Sequence, residues 1–202
     1  MFISLDGIDG CGKSTQIKRL ADRLRQAGHD VFTCRDPGST GLGEAVRRIL
    51  LNRHDLDICR MSEMLLFMAA RAQMVQELIL PALNSGKIVV TDRFLISTIV
   101  YQGYAGKIAV DVIEKIGAIA TSGVLPDLNF ILDLPLETAR SRMNHREADR
   151  MERMGTDYHE QVRQGFLTHA KADQRRFVVL DASLPMDAVA DQISEIVMAG
   201  LS

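Results

Sequence analysis

The run Gly7-Ile8-Asp9-Gly10-Cys11-Gly12-Lys13-Ser14 constrains this chain more than any other stretch. It has the spacing G-x-x-x-x-G-K-[ST] and follows the short apolar segment Phe2-Ile3-Ser4-Leu5. Gln16 to Leu24 then reads as a helix, with Ile17, Leu20 and Leu24 on one face. Strand, glycine-rich turn and helix in that order is the context in which a loop wraps phosphate. Glycines let consecutive backbone N–H groups turn inward around anionic oxygens at the positive end of the helix. Lys13 is placed to neutralise the β and γ phosphates, and the Ser14 hydroxyl to serve a Mg2+ site. A chance turn before a helix would need neither the spacing nor the flanks. A nucleoside triphosphate is the first ligand expected.

The rest of the chain suits the fold that this loop demands. Apolar runs at Phe2 to Leu5, Asp30 to Cys34, Lys87 to Thr91, Leu128 to Leu132 and Arg176 to Leu180 alternate with helical patterns. Short buried runs separated by helices imply an α/β fold, a parallel sheet covered on both faces. Gly28 and Gly86 stand where helices should end, and Pro135 suits the first turn of a new one. A chain of 202 residues supports one substantial core, so a single domain over 1–202 is expected. Apolar residues make up 47%, which excludes a disordered chain, and a net charge of -2 argues against general binding of duplex nucleic acid. No run approaches the roughly 18 apolar residues of a membrane span. Cys11, Cys34 and Cys59 lack metal-ligand spacing and are odd in number, which suits free thiols in the cytoplasm.

From Met61 to Leu83 the pattern is helical and apolar over most of its surface. Leu65, Met68, Ala72, Val75, Ile79 and Leu83 form one stripe, with Met64, Phe67, Met74 and Leu78 beside or opposite it. Such a helix buries more than its sheet-facing side, so it is either a central core helix or one shared with a pocket and a subunit interface. Arg71 lies among these residues, one turn from Phe67. A guanidinium there needs a partner: a bound anion, a polar ligand edge, or an internal carboxylate such as Asp92.

Other polar clusters fall at strand ends, where an open α/β sheet places its ligands. Arg35-Asp36-Pro37-Gly38-Ser39-Thr40 follows the second run and suits a second anionic group near the first loop, unless Arg35 merely pairs with a carboxylate. Asp92-Arg93 ends the third run, where a carboxylate can hold a water of Mg2+ and the arginine can reach an acceptor phosphate. Asp9 would repel a triphosphate if it faced one. It is expected to point outward, to the acceptor's sugar or to an arginine that touches the acceptor. The stretch 140–153 reads as a lid. Arg142, Arg146 and Arg150 recur every four residues and can converge on developing charge, although Glu147, Asp149, Glu152 and Arg153 also permit a solvated helix with internal pairs.

Taken together, these residues resemble the thymidylate kinase family. The likeness runs through Phe2 to Gly10, Thr33 to Gly38, Leu66-Phe67 with Arg71, Asp92-Arg93-Phe94, Tyr101-Gln102-Gly103, Asp149-Arg150-Met151-Glu152 and Val162 to Leu167. It ends near Asp181-Ala182, in order over about nine-tenths of the chain. The resemblance implies a three-layer nucleoside monophosphate kinase fold with a five-stranded parallel sheet in the order 2-3-1-4-5. It also implies a homodimer, and ATP-dependent, Mg2+-dependent conversion of dTMP to dTDP. ATP would lie on Gly7, Asp9, Gly10, Cys11, Gly12, Lys13, Ser14 and Thr15, with the metal at Ser14 and Asp92. For dTMP it implies Phe67 stacking on thymine, Arg71 at the base edge and Gln102 along the nucleoside. Asp9, Arg35 and Arg93 would organise the monophosphate, and Asp36, Pro37, Ser97 and Tyr101 would complete the pocket. The phosphate loop lacks an arginine, as in bacterial members that supply Arg142, Arg146 and Arg150 from the lid, with Arg150 the first choice for phosphate contact. Asp6 and Asp36 stand where the family commonly has glutamate, Ser39 where it has glycine and Phe94 where it has tyrosine. Two other functions fit the first loop: a kinase for another deoxynucleoside monophosphate, and an ATPase switch that would need no acceptor pocket.

Overall fold

The computed structural model describes residues 1–53, 55–143, 150–151 and 153–201. Strands β1 (Phe2–Asp6), β2 (Val31–Arg35), β3 (Ile88–Asp92), β4 (Leu128–Asp133) and β5 (Phe177–Asp181) form one parallel sheet in the order β2-β3-β1-β4-β5. Every residue of the central β1 is buried, whereas the edge strands β2 and β5 mix buried and exposed positions. That contrast follows from a strand covered on both faces against strands with a solvated flank.

Chain direction fixes the layers. Only the β1-to-β2 crossover, through α1 (Lys13–Gln26), steps toward the β2 edge; the later crossovers step the other way. Right-handed crossovers therefore place α1 on one face and the remaining connections on the other. The C-terminal α9 (Met186–Ala199) packs beside α1. The opposite layer holds α2 (Gly41–Arg47), α3 (Arg60–Met74), α4 (Leu80–Asn84), α5 (Leu95–Thr98), α6 (Val110–Ala120), α7 (Leu136–Met143) and α8 (Thr156–Ala172). Adjacent strands β1 and β3 feed opposite layers, which opens a crevice at their carboxyl ends.

Helix stops obey local chemistry. Gly28 (φ 89°) and Gly86 (φ 78°) take the left-handed conformation just past α1 and α4, and the following N–H groups bond back to Leu24 and Ala82. The long apolar helix is continuous from α3 to α4 but widens into a π turn over Val75–Ile79. Pro81 accounts for it: the ring lacks an N–H and crowds the carbonyl four residues earlier, so the bonding shifts register upstream. The inward stripe differs from the expected one. Met64, Met68, Val75 and Ile79 are buried, while Leu65 is 46% exposed. The arginine inside the helix decides this, because Arg71 must turn inward to meet its partners.

Candidate active site

The phosphate loop leaves β1 at Gly7 and enters α1 at Lys13, with Gly7, Gly10 and Gly12 at φ 139°, 81° and 101°. Two of these glycines are also required by close approach. A Cβ on Gly7 would come 2.6 Å from the Leu132 carbonyl oxygen, and one on Gly10 2.6 Å from that of Ala139. Strand β4 and helix α7 thus pack directly on the loop. Lys13 is folded into its own loop: Nζ donates to the Ile8 and Gly7 carbonyls at 3.0 and 3.3 Å and lies 3.8 Å from Asp9. Ser14 Oγ donates to Asp92 Oδ2 at 3.2 Å, which joins the ends of the loop and β3.

Arg93 knots the crevice together. Its backbone is left-handed (φ 68°), which carries the side chain back across the loop. Nη1 donates to the Gly7 carbonyl at 2.8 Å and to Ser97 Oγ at 3.1 Å, and Nη2 to Asp9 Oδ1 at 2.6 Å and Tyr101 Oη at 3.4 Å. Below it, Asp6 Oδ1 accepts from Ser97 Oγ at 2.6 Å and the Phe94 N–H at 3.3 Å, while Oδ2 is buried with no hydrogen-bond partner among the described residues. Burial pushes the Asp6 carboxyl above the usual aspartate value, against the hydrogen bond from Ser97 and the charge of Arg93.

Arg71 finds its carboxylate in Asp36 rather than Asp92. Nε donates to Asp36 Oδ2 at 2.5 Å, Nη2 to Thr98 Oγ1 at 2.8 Å and to the Phe94 carbonyl at 3.4 Å, and Nη1 to Met68 Sδ at 3.1 Å. One Nη1–H is left without a partner among the described residues. Asp36 Oδ1 is likewise buried and unpartnered, and burial raises its pKa although Arg71 opposes the shift. Arg35 is bound to Glu44 through Nη2 at 2.9 and 3.0 Å, and its hydrogen bond holds the Glu44 carboxyl below its ordinary value.

Two cavities meet over Asp9, Asp36, Arg47 and Arg93. One is an open cleft of about 730 Å³ along the phosphate loop from Asp9 to Gln16, with Arg35, Asp92 and Arg142 in its walls. The second is a narrow apolar pocket of about 80 Å³ between Phe67, Leu51, Met151, Pro37 and Tyr101, with Arg71, Ser97, Thr98 and Gln102 as its polar lining. A cleft along the phosphate loop is thus joined by two arginines and two aspartates to a narrow, mostly apolar pocket, an arrangement with room for two groups side by side.

A family model described as thymidylate kinase matches residues 5–193. The chain belongs to the thymidylate kinase family. The thymidylate kinase of Thermoanaerobacter sp. is 44% identical over 196 residues, spanning 97% of this chain and 96% of that one. The Geobacter sulfurreducens thymidylate kinase is 41% identical over 204 residues, spanning 98% and 96%. The crystal structure of thymidylate kinase from Ehrlichia chaffeensis superposes with a TM-score of 0.79 at 33% identity, covering 98% of each chain. This member of the family is accordingly a phosphotransferase.

The arginines of the expected lid divide. Arg142, at the end of α7, donates to the Ala182 carbonyl at 3.3 and 3.4 Å in the wall of the cleft. Arg150 is not over the phosphate loop: Nε donates to the Leu50 carbonyl at 2.8 Å and the guanidinium is ion-paired with Glu63. Arg146, Asp149 and Glu152 lie outside the described residues. Sequence reasoning missed Glu63, Leu51, Thr98 and Met151. Glu63 had a readable signal: Glu63, Phe67 and Arg71 recur every four residues and share one helix face.

Proposed function

We propose that this chain transfers the γ-phosphoryl group of ATP to dTMP, giving dTDP and ADP. The observation that carries the reading is the narrow pocket itself. It offers an aromatic wall at Phe67, an arginine donor and an amide toward a base, and it opens onto the phosphate loop through Arg93 and Asp9. An ATPase switch has no use for such a pocket. Lys13 moves from the loop carbonyls onto the β and γ phosphates, and backbone N–H groups from Gly10 to Thr15 cradle them. Arg93 binds the acceptor phosphate, with Asp9 fixing the arginine, and Arg35 adds positive field from the far wall. Arg142 closes the cleft over the transferring group, in a setting where fixed donors cost no reorganisation during reaction. Arg146 adds to the positive charge of the segment 140–153, and Arg150, paired with Glu63, serves the acceptor pocket instead.

The loop mouth fits Mg2+ with help from the substrate. A hydroxyl and a carboxylate already face each other at Ser14 and Asp92, and no group of three or more candidate ligands occurs among the described residues. Phosphate oxygens and water would supply the other positions, as suits this ion. Held there, the ion would supply positive charge to offset that of the β and γ phosphates.

The protein acts as a homodimer. Met61, Leu65 and Ala69 recur every four residues along α3 and are exposed, on the side of the helix opposite Glu63, Phe67 and Arg71. Among the described residues no helix is long and apolar enough to cross a membrane, and a cytoplasmic enzyme is the reading that suits the free cysteines.

Steady-state rates with dTMP, dUMP, dCMP and dGMP under saturating ATP and Mg2+ test the acceptor. The highest kcat/KM is expected for dTMP. A higher value for dCMP or dGMP would assign the chain to another monophosphate.

A further inference from the structure

A carboxamide carries a donor and an acceptor of nearly the same shape, so Gln102 can read a base only if something fixes which end meets the pocket. Gln102 lines the acceptor pocket and is only 1% exposed. Its Nε2 donates to Glu63 Oε1 at 2.8 Å. Glu63 is itself buried, and its other oxygen is ion-paired with Arg150. Arg150 is anchored in turn, with its backbone N–H on the Leu51 carbonyl at 3.2 Å and Nε on that of Leu50. A carboxylate held in such a pair accepts hydrogen bonds and donates none, so a reversed amide would set oxygen against oxygen.

The bases differ at this point. Thymine and uracil carry a donor, N3–H, between two carbonyl acceptors. Cytosine carries an acceptor at N3 beside an amino donor. With one Nε2–H held by Glu63, the amide is fixed in orientation and its Oε1 stands at the opposite end, an acceptor that suits N3–H and opposes the bare N3 of cytosine. The unengaged Nη1–H of Arg71, on the same helix face as Glu63, suits a neighbouring carbonyl and opposes an amino group.

We propose that Glu63 is the positioning residue for base selection, orienting Gln102 so that the pocket takes pyrimidines with an N3–H and rejects those without. The inference rests on the reading of dTMP as acceptor. Its test is kinetic, on Glu63→Gln, which keeps the shape but can donate or accept and so permits either orientation of Gln102. The ratio of kcat/KM for dTMP over dCMP should fall at least about tenfold, mainly through the two monophosphate KM values. The ratio of dTMP to dUMP, which depends on the 5-methyl group, and the KM for ATP should stay within about twofold. A structural role alone would move all of these together. An unchanged dTMP-to-dCMP ratio in Glu63→Gln, with wild-type enzyme preferring dTMP, would overturn this inference and leave the acceptor reading standing. Wild-type enzyme that does not prefer dTMP would overturn both. If Glu63→Gln does not fold, Gln102→Leu carries the test: lost discrimination supports the assignment and retained discrimination refutes it.

Discussion

Asp6 and Asp36 are buried carboxylates, each with one oxygen that has no hydrogen-bond partner among the described residues, and burial raises both above the usual aspartate value. The sign of the linkage follows. A carboxyl whose folded pKa exceeds its unfolded one adds stability below the unfolded value and loses it as pH rises through the folded value. At neutral pH Asp6 therefore works against folding, a cost tolerated where it aligns Ser97 and Phe94 under Arg93. Asp6→Asn keeps the Oδ1 contacts and removes the charge. Its melting temperature should exceed wild type by a few degrees near pH 8, roughly 2–4 °C for each kcal/mol in a chain of this length. The gap should close as pH falls, and a gap that widens toward acid would contradict the assignment. Lys13 belongs to the same scale. Lys13→Ala should lower turnover more than about tenfold with the melting temperature nearly unchanged, because its charge follows the transferring group. What sequence could not supply here was partnership. Arg71 needed a partner, which the residues left open between a ligand and a carboxylate such as Asp92, and only the fold brings Asp36 to it.

At the scale of elements, strand positions were legible nearly to the residue. The apolar runs stop at Leu5, Cys34, Thr91, Leu132 and Leu180, and each strand continues one residue further, to Asp6, Arg35, Asp92, Asp133 and Asp181. Hydropathy stops before the ladder does, since a charged side chain at the sheet's edge keeps its backbone pairing, as Arg35 with Asp92 and Asp133 with Asp181. The long helix was legible in extent but not in rotation, because its outward face also carries large apolar residues, Met61 and Leu65. In the lid, charge repeats every four residues and pattern alone cannot rank the arginines. The structure puts Arg142 in the cleft wall and Arg150 against Glu63. Arg142→Ala should therefore lower kcat by about tenfold or more with little change in the KM for dTMP, as befits a contact made in the transition state. Arg150→Ala should act mainly on the KM for dTMP. Steady-state kinetics of the two variants separate these outcomes, and a reversed pattern would return the phosphate contact to Arg150.

For the whole molecule, topology converts a local motif into a two-substrate site. Because β1 and β3 feed opposite layers, the phosphate loop and the Asp92-Arg93 corner share one crevice, and α3 brings Phe67 and Arg71 to its far end. The opposite face of α3 is the expected dimer contact, so Leu65→Asp should shift sedimentation at micromolar concentration from dimer to monomer. A wild-type monomer under those conditions would refute the interface. The sequence showed the site's parts through their order along the chain; pocket width and the Glu63–Gln102 contact depend on packing between distant segments. The central claim is phosphoryl transfer between two bound nucleotides, and product stoichiometry tests it most directly. Purified protein is mixed with ATP, Mg2+ and dTMP, and the nucleotides are separated over time. Equal amounts of ADP and dTDP are expected, with no ATP consumed when dTMP is left out. ADP formed at the same rate without dTMP, or without accumulation of dTDP, would contradict it.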